Sequence, residues 1–138
     1  MYIMRRFELN SYLEFVEKYN ITDLIVVPPI LTAILKSEHP EKERCLQEVK
    51  NIVCGAAPLD KTIQTQVRNL LSNGVPLTQA WGMTETCCAS MIFPYPEEDV
   101  TGSIGRLVPN VEAKYIYTYL LCPHSDMVCF CELTAPVC

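Results

Sequence analysis

The sequence predicts an α/β fold in which the strands of a parallel β-sheet alternate with helices. Three short segments rich in β-branched or apolar residues are predicted strands: residues 21–27, 51–54 and 75–79. Segments with apolar residues at helical spacing lie between them. This alternation favours parallel strands joined through helices, in a layered domain of the size that 138 residues allow.

Start and stop signals indicate the individual helices. Ser11-Tyr-Leu-Glu14 has the form of a capping box and predicts a helix over residues 11–19. Pro28-Pro29 ends the first strand and suits the first turn of a helix that continues through Leu35. A third predicted helix carries one apolar stripe and ends at an Asn-Gly pair. Its marker residues are Ile63, Val67, Leu70, Leu71, Asn73 and Gly74.

Charge and hydropathy exclude two classes of partner. The formal net charge is −5 and the basic residues are scattered, whereas nucleic-acid binding needs a clustered basic surface, so no nucleic-acid partner is expected. No uninterrupted apolar run reaches the ~18 residues of a membrane helix, so no membrane span is expected. With no visible secretion signal, the sequence predicts a cytoplasmic protein.

The chain has eight cysteines, half of them crowded near the C-terminus. They are Cys45, Cys54, Cys87 and Cys88, followed by Cys122, Cys129, Cys131 and Cys138. Reduced thiols are favoured over a disulfide framework, because no secretory context is visible. A metal site in the C-terminal group is the alternative, although Cys129-Phe-Cys131 lacks the two-residue gap usual in zinc knuckles. Cys87 and Cys88 are predicted to be small buried residues.

Two segments carry residue types that suit a nucleotide and its metal. Gly55-Ala-Ala-Pro58 follows the second predicted strand, and its small side chains let a flat ring approach the main chain. Gln79-Ala-Trp-Gly-Met-Thr-Glu85 follows the third as a predicted loop, with a stacking face at Trp81 and a hard oxygen ligand at Glu85. If the two strands are neighbours, both segments face one crevice at the carboxyl edge of the sheet. The alternative is purely structural: a turn, a core aromatic residue and a helix cap.

The second segment resembles the most recognisable motif of the adenylate-forming (AMP-binding) superfamily, which includes acyl-CoA synthetases, 4-coumarate–CoA ligases, luciferases and peptide-synthetase adenylation domains. Supporting motifs occur in the order and approximate spacing of the 4-coumarate–CoA ligase-like branch. They are Val26-Val-Pro-Pro-Ile30, Gly55-Ala-Ala-Pro-Leu59, and Gly102-Ser-Ile-Gly105 with Pro109-Asn110. The resemblance covers residues 2–114 and implies an ATP-dependent acid–CoA ligase that adenylates a carboxylate before it forms the thioester.

The resemblance also implies a role for each matched residue. Thr84 and Glu85 would be catalytic, Thr84 at the α-phosphate and Glu85 as the Mg²⁺ ligand. The nucleotide site would comprise Gly55, Ala56, Ala57, Pro58, Gln79, Trp81, Gly82 and Met83, with Trp81 stacked on adenine. Ala80 and Ala89 would line the pocket of the carboxylic-acid substrate. The cofactors implied are ATP, Mg²⁺ and CoA.

The chain is predicted to have two parts, a partial adenylation domain over residues 1–114 and a non-homologous, Cys-rich tail over residues 115–138. The tail has no Lys, Arg or Gly, which a shifted reading frame or a retained intron would explain. The sequence also lacks the family's Gly-rich phosphate loop, its Thr-Gly-Asp ribose motif and its lysine-bearing C-terminal domain. A truncated fragment, inactive alone, is therefore expected; the parent enzyme could be peroxisomal, but this chain carries no C-terminal peroxisomal signal.

Two functions of other classes stay open. The chain could be a non-catalytic interaction module, in which an apolar sheet edge pairs with a full-length relative or with another copy. It could instead be a small thiol- or metal-binding protein built on its C-terminal cysteines. Nucleotide binding favours the ligase fragment, co-purification with a ligase favours the module, and stoichiometric zinc favours the metal protein.

Overall fold

The computed structural model describes residues 2–71, 74–99, 101–117 and 129–134, which form a five-stranded mixed sheet and a separate two-stranded sheet. The larger sheet has the order β1-β2-β3-β4-β5. Its strands are β1 (Asp23–Val26), β2 (Asn51–Cys54), β3 (Leu77–Met83), β4 (Cys88–Ile92) and β5 (Arg106–Leu107). The helices are α1 (Leu9–Lys18), α2 (Pro28–Lys36), α3 (Lys42–Cys45) and α4 (Lys61–Leu70), with a 3₁₀ helix at Thr84–Thr86.

The parallel half of the sheet confirms the predicted α/β fold. β1 pairs with β2 so that Val26 lies opposite Cys54, and β2 pairs with β3 so that Cys54 lies opposite Gln79. Helices α2 and α3 connect the first pair, and α4 connects the second. The carboxyl ends of β1 and β2 therefore lie beside the middle of β3, where the resemblance places the nucleotide.

The antiparallel half of the sheet was not predicted, and it corrects the interpretation of the motif at residues 79–85. β3 begins at Leu77 rather than at Val75 and continues to Met83, four residues beyond its predicted end. The extension is stable as a strand because β4 supplies an antiparallel partner for it, and β5 in turn pairs with β4. Most of the motif is thus strand rather than loop.

The first helix starts two residues before its predicted beginning, because Glu8 caps it. The Glu8 carboxylate accepts hydrogen bonds from the backbone N–H groups of Asn10 at 3.0 Å and of Ser11 at 2.7 Å. The Ser11 hydroxyl also donates to Glu8, and these bonds hold the pKa of Glu8 below its usual range. The predicted capping box was therefore wrong: Ser11 lies within the first turn, and a carboxylate cap favoured by the helix dipole replaces it.

A single apolar core joins the helices to the parallel strands. Its most deeply buried apolar residues include Leu13, Leu31, Ile52 and Leu77. In β1, buried Leu24 and Val26 alternate with exposed residues, and Ile25 is 87% exposed. The helices therefore cover one face of the β1 edge and leave the other face open within the described part of the chain.

The second sheet pairs β6 (Glu112–Tyr117) with β7 (Cys129–Thr134) in an antiparallel register. This pairing crosses the predicted boundary after residue 114, and the division into two domains stays a prediction.

Cys122, His124 and Cys138 lie outside the described residues. Within the described ranges, no group of three His, Cys, Asp or Glu side chains could hold a metal ion. None of the described helices is long and apolar enough to cross a membrane.

Candidate nucleotide-binding site

The loop at residues 55–58 lies directly after β2, as predicted. The Gly55 N–H donates to the Val26 carbonyl at 3.1 Å, which ties the loop to the end of β1. A Cβ on Gly55 would lie 3.3 Å from the Ala80 carbonyl oxygen, so the loop also contacts β3. Ala56 has a φ of +67°, and its side chain is exposed together with those of Ala57 and Pro58. The loop therefore presents small groups and open main chain to solvent beside β3.

The second motif passes from strand to a short helix at its C-terminal end. Trp81 lies in β3, is half-buried and faces Met91 of β4 in register. Thr84 and Glu85 are both exposed on the 3₁₀ helix that follows β3. The hydroxyl of Thr86 donates to the Met83 carbonyl at 2.9 Å and accepts from the Met83 N–H at 3.2 Å. This pair of bonds fixes the turn that presents Thr84 and Glu85.

A β-bulge in β4 determines which motif residues share a face of the sheet. Trp81 pairs with Met91 and Gly82 pairs with Ala89, so Ser90 is the extra residue of β4. Because paired residues lie on one face and alternate along a strand, Ala80, Gly82 and Ala89 share one face. Trp81 lies on the opposite face. The predicted acid-pocket residues, Ala80 and Ala89, are thus brought together, and they are separated from the predicted adenine-stacking face.

Glycine is required at two positions of this region by contacts with backbone. A Cβ on Gly82 would overlap the carbonyl group of Cys88, and one on Gly105 would overlap the main chain at Ile92. Gly105 also has a φ of +93°, which side-chain-bearing residues rarely adopt. The motif glycine at position 82 therefore permits close packing of β3 on β4, a structural reason that is independent of any ligand.

Gln79 is buried in β3, and both ends of its amide contact main chain. Its Oε1 accepts a hydrogen bond from the Leu59 N–H at 2.8 Å, at the end of the first loop. Its Nε2 donates to the Gly102 carbonyl at 3.2 Å, at the start of the Gly102-Ser-Ile-Gly105 segment. The first residue of the motif thus joins two loops that flank the site.

Asp99 also contacts the beginning of the Gly102-Ser-Ile-Gly105 segment, through its carboxylate. Its carboxylate accepts from the N–H of Thr101 at 2.8 Å and from the N–H of Gly102 at 2.7 Å. Burial would raise the pKa of Asp99, but the hydrogen bonds from Thr101 and the neighbouring backbone outweigh it, so the pKa lies below its usual range. Its backbone carbonyl accepts from Gln64 Nε2 at 3.1 Å and from the Arg68 guanidinium, both on α4.

The sequence analysis missed Asp99, Gln64 and Arg68. The signal that could have indicated Asp99 is its spacing from Thr101 and Gly102, which is typical of a turn closed by an Asp side chain. The prediction that Cys87 and Cys88 are buried was also wrong, since both are exposed. Cys87 follows the 3₁₀ helix with a φ of +57°, and this reversal of the chain leaves both thiols exposed.

Two described cavities lie away from the candidate site. A cavity of about 250 Å³ lies elsewhere, between the α3 region and the end of α4, where Arg44 and Leu71 are among its lining residues. Another of about 240 Å³ lies against β5, lined in part by Leu107. Neither cavity is lined by residues 55–58 or by Trp81. The candidate site is therefore identified from its residues and from the sheet topology, and not from a cavity.

A family model for AMP-binding enzymes matches residues 1–117. This chain belongs to the AMP-binding enzyme family. A phenylacetyl-CoA ligase of Aspergillus niger, epaB, is 50% identical to this AMP-binding chain over 118 residues, which are 85% of the chain and 22% of that ligase. 4-Coumarate–CoA ligase-like 9 of Arabidopsis thaliana is 36% identical over 115 residues, 83% of this chain and 20% of that protein.

Solved structures agree with the fold. Apo MatB from Rhodopseudomonas palustris superposes with a TM-score of 0.74 at 22% sequence identity, over 97% of this chain and 26% of that one. The fold of this AMP-binding family member is therefore that of adenylate-forming ligases, and the predicted resemblance to acyl-CoA synthetases and 4-coumarate–CoA ligase-like proteins is confirmed. The chain spans about a fifth of the length of the curated relatives.

Proposed function

We propose that this chain provides the adenine side of the ATP site of an acid–CoA ligase, an enzyme that adenylates a carboxylic acid and then forms a CoA thioester. The parallel pairing of β2 with β3 supports the proposal, because the loop at residues 55–58 then lies beside Ala80, the residue that precedes Trp81. Small exposed residues on the loop leave room for a flat ring. The half-buried indole of Trp81 supplies a stacking face.

Thr84 and Glu85 are suited to the phosphate and metal end of the nucleotide. Both are exposed on the 3₁₀ helix that directly follows β3, so they are accessible to a ligand. One exposed carboxylate fits Mg²⁺, which binds through one or two carboxylates and phosphate oxygens and keeps several waters. When bound, Mg²⁺ supplies charge neutralisation on the phosphates.

Ala80 and Ala89 are proposed to line the acid pocket, on the sheet face opposite Trp81. They share that face with Gly82 and Ile92, so the surface offered to an acyl group is apolar and consists mostly of small residues. The methyl group of Ala80 would make this pocket narrower than a glycine at the same position would. We assign no residue of the described chain to CoA.

We further propose that the 138-residue chain by itself does not complete adenylation. The transition state places charge on the α-phosphate and on the leaving pyrophosphate, and each positioned donor or cation there contributes on the order of 3 kcal/mol. Thr84 and Glu85 supply only part of that stabilisation. The sequence contains no match to the family's Gly-rich phosphate loop or its Thr-Gly-Asp motif.

Acid-dependent exchange of radiolabelled pyrophosphate into ATP tests this proposal, with the purified chain and a panel of aromatic and fatty acids. We expect no exchange above the no-enzyme background. Exchange that disappears in Glu85→Ala and persists in Glu48→Ala would show a working ligase and would contradict the inactivity. Glu48 is a suitable control because it is exposed and precedes β2, at the amino end of the strand.

A second function, self-association through the sheet edge, is favoured by one observation. Ile25 is 87% exposed on β1, which is an edge strand of the five-stranded sheet. We propose that this edge pairs with another copy or with a full-length relative. Light scattering is expected to show oligomers that dissociate in Ile25→Lys, and a monodisperse wild-type monomer at micromolar concentration would exclude the self-pairing.

The cytoplasmic location and the domain division stay predictions.

A further inference from the structure

The side-chain amide of Gln79 lies between two loops, one ending at Leu59 and the other beginning at Gly102. No other hydrogen bond from a described side chain joins these two loops. Gln79 is 4% exposed, so solvent does not compete for its amide. Its Oε1 is 2.8 Å from the Leu59 nitrogen and its Nε2 is 3.2 Å from the Gly102 oxygen. A backbone N–H can only donate and a carbonyl can only accept, so these partners fix the orientation of the amide.

The two loops joined in this way flank the candidate site. Leu59 follows the Gly55–Pro58 loop, whose main chain is the proposed border of adenine. Gly102 opens the segment that leads to Gly105 and β5, and its own N–H is held by Asp99 at 2.7 Å. The N–H and the carbonyl of Gly102 are both fixed, one by Asp99 and the other by Gln79.

We infer that Gln79 is a positioning residue of the nucleotide site: its side-chain amide sets the separation of the Gly55–Pro58 loop from the Gly102–Gly105 segment. This role rests on the proposed function only in that the two loops border the nucleotide. The polar atoms of Gln79 are directed to main chain on both sides, and β3 anchors the residue between them. A displacement of one loop is therefore transmitted to the other through a single planar group.

The substitution Gln79→Glu distinguishes the effects of the two hydrogen bonds, because it keeps one and removes the other. The charged carboxylate of Gln79→Glu still accepts from the Leu59 N–H but cannot donate to the Gly102 carbonyl, and it places negative charge against that oxygen. The protonated form has both a donor and an acceptor, like glutamine. Burial favours protonation, so lowering the pH restores the donor. The nearby charged groups are Asp99, Arg68 and Lys61; Asp99, with its lowered pKa, stays ionised from pH 5 to pH 8.

Amide hydrogen exchange measures the positioning without nucleotide. In the wild-type chain the Leu59 N–H is expected to be protected on the order of 100-fold, although it lies outside helices and strands. In Gln79→Met its protection is expected to fall about tenfold, because the acceptor is lost. In Gln79→Glu, exchange at residues 102–105 is expected to rise about tenfold at pH 8 and to return to the wild-type protection at pH 5.

Gln66→Glu is the matched control, since Gln66 is exposed on α4 and the substitution introduces the same charge. We expect it to change neither region. An unprotected Leu59 N–H in the wild-type chain would overturn the inference even if the variants fail to fold. A loss of protection in Gln79→Glu that does not recover at pH 5 would also overturn it.

ATP titration followed by the fluorescence of Trp81, the single tryptophan, separates this inference from the proposed function. If the wild-type chain binds ATP, Gln79→Glu is expected to bind about tenfold more weakly at pH 8 and as the wild type does at pH 5. Wild-type affinity in Gln79→Glu at pH 8 would contradict the positioning role. If the wild-type chain binds no ATP, the proposed function fails, while hydrogen exchange still decides whether Gln79 joins the two loops.

Discussion

The α-carbon of Gly82 packs against the carbonyl group of Cys88 with no space for a side chain. The two residues lie on β3 and β4 at the bulge, where Gly82 pairs with Ala89 and Met83 pairs with Cys88. Because the obstacle is main chain in a paired strand, it cannot rotate away as a flexible side chain would. The glycine of the family motif is therefore needed for the strand pairing that holds Trp81 and the following 3₁₀ helix in place.

Gly82→Ala is expected to lower the free energy of unfolding by about 3 kcal/mol, because the added methyl group forces β3 away from β4. Gly55→Ala is the matched control: its Cβ would lie 3.3 Å from the Ala80 oxygen, and we expect a loss below about 1 kcal/mol. Urea unfolding followed by circular dichroism measures both variants. Equal destabilisation of the two would contradict the packing at Gly82.

Asp99→Asn is expected to destabilise the chain by about 1–3 kcal/mol at neutral pH, because an amide oxygen cannot replace both carboxylate oxygens as acceptors. The carboxylate binds the N–H groups of Thr101 and Gly102, so one of them loses its partner. Glu98→Gln, an exposed neighbour with the same change of charge, is the control and is expected to change stability little.

The pH dependence provides a second test of Asp99. The pKa of Asp99 is lowered in the folded chain, since the hydrogen bonds outweigh the opposing effect of burial. Its contribution to stability is therefore present above its unfolded pKa, about 4, and is lost as the pH falls through the lower folded pKa. Unfolding curves from pH 7 downward should converge for wild type and Asp99→Asn in acid. Parallel curves over that range would show that Asp99 is not the group responsible.

Alkylation is expected to distinguish the four cysteines of the first 114 residues. Burial raises the pKa of Cys54 to about 11, and burial together with the Glu17 carboxylate raises the pKa of Cys45 to about 11. A rise of about two units lowers the thiolate fraction about 100-fold, and the thiolate is the reactive form. Cys87 and Cys88 are exposed. Iodoacetamide at pH 8 should therefore label Cys87 and Cys88 first.

Peptide mass mapping against time gives the rates, and the same reaction in urea is the control, since all four thiols are then accessible. Labelling of Cys54 as fast as Cys88 in the folded chain would be inconsistent with the burial of Cys54. The measurement also tests the exposure of Cys87 and Cys88, which the sequence predicts to be buried.

The parallel half of the fold was predictable because its signals are local. The β-branched run before Pro28-Pro29 defines the end of β1, and Gly55 marks the end of β2 directly after Cys54. The alternation of these strands with helices then predicts the parallel sheet. For the same reason the exposed loop at residues 55–58 was correctly placed beside the next strand.

The antiparallel half was not predictable from local signals. Residues 79–85 contain Gly82, which disfavours a strand, and no two-residue hairpin turn signal follows them. The strand through Trp81 is therefore evident only from its pairing with β4 in the structure. The contacts of Gln79 were missed because its partners Leu59 and Gly102 are 20 and 23 residues away in the sequence. Hydrogen bonds from side chains to distant main chain leave no periodic pattern.

The most direct test of the account is an ATP titration of the 138-residue chain with Mg²⁺, followed by the fluorescence of its single tryptophan, Trp81. We expect a saturable change, because the proposed adenine site includes the indole of Trp81, and we expect weaker binding for Glu85→Ala but not for Glu48→Ala. A folded chain, verified by circular dichroism, whose Trp81 fluorescence does not respond to ATP would contradict the proposed adenine site.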